Sequence, residues 1–242
     1  MTDRLGGRRL LVTGASSGIG HATARAATTA GAKVALLARR EGPLRELADE
    51  TGGVAVPADV TDVEATLAAV DRAAEELGGL DGVVAAAGLV LPGLVADADP
   101  DDWRATFDVN VLGVLHTVRA AIPHLRAAGR GDVVTVSSMS GRRLGSTEMA
   151  VYAASKAALH VVSEGLRREL QPDGIRVTVL SPGFVVTPLF DDLTDDVSDR
   201  LRQRAAEVGL SPDDVARAVV DVLAAPPHVL HVEVALISTS QT

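Results

Sequence analysis

Seven short apolar runs of β type, spaced by longer helical stretches, constrain this 242-residue chain more than any other feature. They are "RLLVTG", "KVALLA", "GVAVPAD", "GVVAAAG", "DVVTVSS", "IRVTVLSPG" and "HVEVALI". The segments between them, such as Ala22–Ala30 and Val63–Leu77, are periodic and rich in Ala, Leu, Arg and Glu. Strand and helix alternating in this way form a parallel sheet with helices on both faces. Right-handed crossovers then require a doubly wound α/β layout of Rossmann type, with ligands at the carboxyl ends of about seven strands. Aromatic residues make up only 2% of the chain, so the core must be built from Val, Leu, Ala and Ile, which suits buried parallel strands. No repeat or low-complexity linker interrupts the pattern, and residues 1–242 are expected to form a single domain. The least core-like stretch, Leu189–Arg204, is expected to be a mobile acidic flap within a substrate segment at about 189–209.

The first strand runs into "VTGASSGIG", which places Gly14, Gly18 and Gly20 between a strand and a helix. Backbone N–H groups at a helix start face outward, the helix dipole favours negative charge, and missing side chains let a pyrophosphate approach. Ile19 lies within the loop, and Thr13, Ser16 and Ser17 add hydroxyls. The competing reading is a tight turn in which glycine merely permits φ > 0. About 20 residues on, where an NAD site would carry an acid for the ribose 2′-hydroxyl, the strand reads "KVALLARRE". Ala38 takes that place and Arg39 and Arg40 follow, a pair suited to a 2′-phosphate. NADP(H) is therefore expected in preference to NAD(H). The alternative makes these two solvated arginines at a helix start, with Glu41 free to hold a ribose hydroxyl.

Tyr152, the chain's one tyrosine, stands four residues before Lys156 in "VYAASKAAL". On a helix these share a face, with Cβ atoms roughly 5–6 Å apart. A cation beside a phenol favours the phenolate, so the Tyr152 pKa is expected to fall from its usual value near 10. The competing reading is an accidental pair on a surface helix.

Together these motifs resemble the short-chain dehydrogenase/reductase family, and the resemblance runs over essentially the whole chain. "TGASSGIG" resembles its cofactor loop and "YAASK" its Y-x-x-x-K helix. "ADV" is similar to the segment that holds adenine, which implies contacts from Asp59 and Val60. Asn110 in "DVNVLG" and Ser138 in "SSMSG" fall at the family's active-site asparagine and serine, and Gly88 closes the segment after the fourth strand. "SPGFVVTPL" resembles the loop over nicotinamide, implying cofactor contacts from Pro182, Gly183, Val185 and Thr187 as well as from Tyr152 and Lys156. Two departures stand out. Ala85-Ala86-Ala87-Gly88 replaces Asn-Asn-Ala-Gly, and Ser138 lies one residue farther from Tyr152 than usual, with the extra residue placed in Arg142–Met149. Ser140 is the alternative acid-site serine.

The resemblance implies reversible hydride transfer between NADPH and a carbonyl. Tyr152 would donate the proton, Ser138 would hydrogen-bond the oxygen, Lys156 would hold the ribose, and Asn110 would anchor a water. Arg142 or Arg143 is expected to meet a carboxylate on a small hydroxy or keto acid. The ending "HVEVALISTSQT" also resembles serine and 3-hydroxy acid dehydrogenases and carbonyl reductases of antibiotic pathways. Family helices near Asp101–Ala128 and Ala150–Leu170 pack between subunits, which implies a homotetramer ahead of a dimer. Two alternatives remain open: a non-catalytic NADP-binding sensor or scaffold, and a non-redox epimerase or dehydratase.

Other chemistries find no support. There are no cysteines for disulfides, thiolate catalysis or metal ligation. The six histidines lack metal-ligand spacing, His160 is expected to face a partner or the core, and no metal is expected. The pairs Asp101-Asp102 and Asp191-Asp192 look like helix-start and loop charges. A net charge of −9 argues against nucleic acid or an anionic membrane surface as partner. With no leader-like or membrane-length apolar run, a soluble cytoplasmic protein is expected.

Overall fold

β1 (Arg9–Thr13) is apolar on both faces, with Leu10 and Val12 turning to one side and Leu11 to the other. Such a strand must be covered twice, and the chain supplies both covers. In a computed structural model describing residues 3–191 and 193–241, seven strands form one sheet in the order β3–β2–β1–β4–β5–β6–β7. The others are β2 (Lys33–Leu37), β3 (Val54–Ala55), β4 (Gly82–Ala85), β5 (Gly131–Val136), β6 (Ile175–Pro182) and β7 (Glu233–Leu236). Every neighbouring pair is parallel. The expected doubly wound α/β architecture is the one the chain adopts. Asp192 lies outside the described residues.

α1 (Gly18–Thr29), α2 (Glu41–Thr51) and α8 (Pro212–Leu223) cover one face, burying Ala24, Ala27, Leu44, Leu47, Val215 and Val219 against it. α3 (Val63–Leu77), α5 (Gly113–Ala127) and α6 (Ala150–Leu170) cover the other through Val70, Ala73, Val118, Leu125, Leu159 and Leu166. Fully burying each Val or Leu among them stabilises by about 1.5–3 kcal/mol. Strand order reverses between β1 and β4, which opens a crevice at their carboxyl ends. Among the described residues no helix is long and apolar enough to cross a membrane, and no three His, Asp or Glu side chains gather to hold a metal.

α6 spans the expected residues, but the helix expected near Asp101–Ala128 is interrupted. α4 (Pro100–Phe107) begins at an Asp99 cap with Asp101 and Asp102 in its first turn. A π-helical turn, Asp108–Leu112, then separates it from α5. The wider turn carries Asn110, which is completely buried. The remaining helix, α7 (Asp196–Val208), lies in the segment expected as a flap.

At the amino edge of the sheet, five charged side chains tie the central strands together. Asp132 accepts from Arg8 at 2.7 Å and from Arg176 at 2.7 and 3.1 Å. Asp81 accepts from Arg8 at 2.6 Å and from Arg9 at 3.2 Å. Arg8 and Arg176 continue to the carbonyls of Leu223 and Ala225, which fixes the end of α8 to the same edge. Both carboxylates are buried, so removing Asp132 leaves Arg176 without a carboxylate partner and Arg8 with only one, in a poorly solvated place. Asp132→Ala should therefore destabilise the protein by about 3–5 kcal/mol in urea unfolding. A loss below about 1 kcal/mol, typical of an exposed pair, would show the network to be solvated.

Candidate active site

The crevice at the carboxyl ends is a cavity of about 1010 Å³. It is lined by the glycine loop, by Arg39 and Arg40 after β2, by Asp59 and Val60, by Gly88, by Ser138 after β5, by Tyr152 and Lys156, and by Pro182, Gly183, Val185 and Thr187 after β6. From β2 to β5 is three strand spacings, roughly 14 Å. Gly14 holds φ +65°, and a Cβ there would lie 2.8 Å from the Ala86 carbonyl oxygen. One at Gly20 would lie 2.5 Å from the Gly14 carbonyl oxygen, so the loop folds tightly onto the start of α1. No acidic residue occupies the first turn of α1, and its cap residue Ser17 makes no capping bond with its side chain. The free N–H groups of this turn are open to an anion.

Thr13 does not add its hydroxyl to the anion site. It accepts from the N–H groups of Ala86 and Ala87, both at 3.1 Å, and so braces the strand end where the two family asparagines are missing. Arg40 reaches back and donates to the Ser16 hydroxyl at 3.2 Å and the Ser17 hydroxyl at 2.9 Å. Arg39 lies 3.8 Å from an Asp59 oxygen and is mostly exposed. Glu41, the candidate for a ribose hydroxyl, instead pairs with Arg45 and faces a separate shallow cleft between α2 and α3. Asp59 caps no helix. It accepts from the Thr61 N–H at 3.0 Å and the Thr61 hydroxyl at 2.9 Å, while Asp62 caps α3. Guanidinium, hydroxyls and open N–H groups at one end, with a slot at Gly88 facing Lys156 and Asn110 at the other, fit a phosphorylated dinucleotide.

Tyr152 and Lys156 lie one turn apart on α6, with Lys156 Nζ 5.8 Å from the centre of the phenol ring. Nζ donates to the Val136 carbonyl at 2.9 Å. Asn110 accepts from the Leu89 N–H and donates to the Leu89 carbonyl, both at 2.8 Å. It also donates to Ser155 at 3.0 Å, and Ser155 donates to the Tyr152 carbonyl at 2.7 Å. Asn110 thus does not line the cavity; it pins the segment after β4 to the first turn of α6. A Cβ at Gly88 would lie 3.6 Å from both Asn110 Oδ1 and Lys156 Nζ, so both polar atoms flank that glycine. Ser138 starts the turn Met139–Gly141, and its hydroxyl accepts from the Ser140 N–H at 3.1 Å. The Ser138 side chain, rather than that of Ser140, is the hydroxyl that favours ionisation of the Tyr152 phenol.

The expected fall in the phenol pKa does not occur in the folded chain. Burial pushes Tyr152 up to about 12, and the Ser138 hydrogen bond opposes this only in part. Burial also draws Lys156 down to about 8. A spacing of four residues places the two groups together, but desolvation outweighs their mutual attraction.

Several other expectations are redirected. Arg142 is paired with Glu233 and does not line the cavity, whereas the neighbouring Arg143 does. His160 is partly buried, with Nε2 3.2 Å from the Ser137 hydroxyl. The segment expected as a free flap carries its own anchor: Phe190 is buried with Val90, Met149 and Tyr152, and Arg202 donates to the Leu193 carbonyl at 2.9 Å. Sequence reasoning missed Ser155 and Gln241. The latter accepts from the Phe184 N–H at 3.0 Å and lines the cavity. No local motif marks Gln241, while Ser155, between Tyr152 and Lys156, could have been found from its position.

The two shifts predict opposite pH effects. The unfolded phenol ionises near 10 and the folded one at about 12, so stability is lost as pH rises through that window. Lys156 is normally protonated up to 10.5 but in the folded chain only to about 8, so its penalty is complete below pH 8 and relieved as pH climbs. The unfolding free energy of wild type minus that of Tyr152→Phe should fall by on the order of 2–3 kcal/mol from pH 10 to 12. The same difference taken against Lys156→Met should rise from pH 8 to 10.5. Flat differences in both windows would mean that neither group is buried as described.

Residues 8–198 match the family model described as short chain dehydrogenase. An uncharacterized oxidoreductase of Staphylococcus saprophyticus is 37% identical over 225 residues, covering 90% of this chain and 92% of that protein. A short chain dehydrogenase from Burkholderia cenocepacia, solved in complex with NADP, superposes with a TM-score of 0.86 at 34% identity, covering 99% of this chain and all of that one. The closed form of a serine dehydrogenase complexed with NADP+ gives a TM-score of 0.86 at 29% identity, with 96% of each chain covered. With its parallel sheet, glycine loop and Tyr152–Lys156 helix, the chain belongs to the short-chain dehydrogenase/reductase family of nicotinamide-dependent oxidoreductases.

Proposed function

We propose that residues 1–242 form one catalytic unit, a cytoplasmic NADP(H)-dependent reductase and dehydrogenase of small carbonyl compounds and secondary alcohols. The observation that carries this reading is the placement of Ser138, Tyr152 and Lys156 together on the wall of a dinucleotide-sized cavity. In the reductive direction Tyr152 gives its proton to the carbonyl oxygen while Ser138 donates a hydrogen bond as charge develops there. Lys156, held near the phenol by α6, supplies the ribose contact and a local cation. When bound, the nicotinamide supplies or accepts the hydride at C4 and, once oxidised, adds positive charge that favours phenolate. Asn110 keeps the segment at Leu89 in register with α6, next to the Lys156 amine.

Preference for NADP(H) is supported by Arg40 held over Ser16 and Ser17, by exposed Arg39, and by Ala38 in place of an acid. Two solved relatives, from Burkholderia cenocepacia and the serine dehydrogenase, carry NADP. For the substrate we favour a small hydroxy or keto acid. Arg143 lines the cavity close to apolar Leu144, Met149 and Phe190, a setting for a short acid with an aliphatic body. An antibiotic-pathway carbonyl compound is the second substrate class. A homotetramer, ahead of a dimer, is supported by exposed Phe107, Leu112 and Val161 around α4 to α6 and by Val232 and Ile237 at β7.

Purified protein should oxidise NADPH with a panel of aldehydes and keto acids, followed by nicotinamide absorbance. Carboxylated substrates should outperform their methyl esters, and equal rates on both would remove the role given to Arg143. Tyr152→Phe keeps the ring but loses the proton, and should reduce turnover at least about 100-fold with NADPH affinity within about twofold. Retained turnover in that variant would sink the assignment.

The arginine pair makes a separate prediction. Arg40→Ala should weaken NADPH binding about 10- to 100-fold by titration calorimetry, the cost of a charged hydrogen bond, with NADH binding nearly unchanged. Equal weakening of both would place Arg40 away from the 2′-position.

A further inference from the structure

Behind the cavity, a chain of polar side chains runs from the last strand to both elements that carry the reacting groups. Glu233 opens β7. Its carboxylate accepts from two nitrogens of Arg142 and from the fully buried Ser181 hydroxyl of β6, the latter at 3.0 Å. His160 Nδ1 lies 4.0 Å from the second Glu233 oxygen. On its other side, His160 Nε2 lies 3.2 Å from Ser137, whose hydroxyl donates to the Lys156 carbonyl at 2.8 Å.

Arg142 ends the short turn Met139–Gly141, which starts at Ser138. The turn is tightly bonded internally, Gly141 N–H to Ser138 carbonyl at 3.0 Å and Arg142 N–H to Met139 carbonyl at 3.0 Å. It therefore moves as one piece. Its entry is fixed by the sheet, where the Ser137 N–H donates to the Leu180 carbonyl at 2.7 Å. Its exit is fixed by the Arg142–Glu233 pair. In the middle, Gly141 presses on α6 so closely that a Cβ would lie 2.8 Å from the carbonyl of Lys156. The same carboxylate faces α6 at His160, one turn beyond Lys156, without a hydrogen bond to it. A two-nitrogen arginine–carboxylate contact fixes direction as well as distance. Glu233 is well covered, so its charge is poorly satisfied by water if Arg142 is lost.

We propose that Glu233 is a positioning residue, which through Arg142 holds the Ser138 turn against the Lys156 helix and so sets where the Ser138 hydroxyl stands relative to the Tyr152 phenol. The inference rests on the assignment of Ser138 and Tyr152 as the reacting pair. It draws on a property that can be measured without turnover, because Tyr152 is the chain's one tyrosine and its phenolate absorbance reports a single group. The Ser138 hydrogen bond pulls that phenol towards ionisation, so a loosened turn should make it harder to ionise.

The test compares Glu233→Gln, Glu233→Ala, Arg142→Ala and the double variant Arg142→Ala/Glu233→Ala with wild type. Three readouts are needed: phenol titration of the free protein, kcat with KM for NADPH and substrate, and melting temperature. Glu233→Ala and Arg142→Ala should each move the phenol titration upward. Each should lower kcat between about 10- and 100-fold, the effect of misplacing a reacting group by a fraction of an ångström to one ångström. KM for NADPH should stay within about twofold, and the double variant should be no worse than the worse single one, since both cut the same tether. Glu233→Gln keeps the volume and one hydrogen-bond acceptor, and should fall between wild type and Glu233→Ala. A lowered melting temperature with an unmoved phenol titration would overturn the proposal and leave the pair a structural rivet. If no substrate in the panel turns over, the hydride-transfer reading fails, yet the phenol titration still decides whether Glu233 sets where Ser138 stands relative to Tyr152.

Discussion

A parallel sheet has two chemically different edges, and much of this molecule follows from keeping them different. All strands point the same way, so the amino edge and the carboxyl edge never mix. At the amino edge, Arg8, Arg9 and Arg176 meet Asp81 and Asp132, and their charges satisfy one another among strand starts and the end of α8. At the carboxyl edge the corresponding groups are left open. There the loop after β1 offers N–H groups, and Ser138 and Tyr152 face a cavity. One edge consumes its polar chemistry to hold the strands, and the other holds its own available. Paired charges under the sheet allow unpaired polarity above it.

The burial of the Tyr152–Lys156 pair is the second consequence. α6 is covered on one side by the sheet and by the π-helical turn Asp108–Leu112, so a phenol and an amine on its inward face lose water. Each group is then pushed towards its neutral form, the phenol up and the amine down. A neutral phenol is a proton donor in waiting, which suits the reductive half of a reversible reaction. Moving the balance towards phenolate falls to whatever positive charge and hydrogen bonds arrive at the phenol oxygen. Among the described residues, the Ser138 hydroxyl is the group that favours this form. The geometry of its short turn therefore matters more than its chemistry alone.

The sequence was most readable where a local pattern has one physical solution. Alternating apolar strands and periodic helices have few packings, so the sheet, its parallel sense and the extent of α6 could be foreseen. The glycine loop was legible because only missing side chains allow its approach to β4, and the seventeen residues expected at the cofactor all line one cavity. Legibility ended where the outcome depends on residues far apart in the chain. Arg142 and Arg143 look equivalent in sequence, but Glu233, some ninety positions away, takes the first and leaves the second facing the cavity. Thr13 was expected to face an anion and instead braces Ala86 and Ala87, whose backbone N–H groups lie past the end of β4 and must find a partner off the ladder. The π-helical turn at Asp108–Leu112 follows from no propensity. It matches the reach Asn110 needs to bond both polar atoms of Leu89.

These non-local bonds have a common direction. Asn110 with Ser155 ties the segment after β4 to the start of α6, and Ser137, through His160 and the Lys156 carbonyl, ties the end of β5 to the same helix farther along. Thr13 ties β1 to β4 at the level of the glycine loop. A parallel sheet sets the strand ends to within a residue or so, but hydrogen transfer to a carbonyl is sensitive to fractions of an ångström. Hydrogen bonds between separate loops convert the coarse register of the sheet into the finer alignment that chemistry requires. They lie behind the cavity rather than in it, so they can be rigid without obstructing a ligand. A site built this way can change its substrate through Arg143 and the Phe190 segment while the alignment of its reacting groups stays fixed.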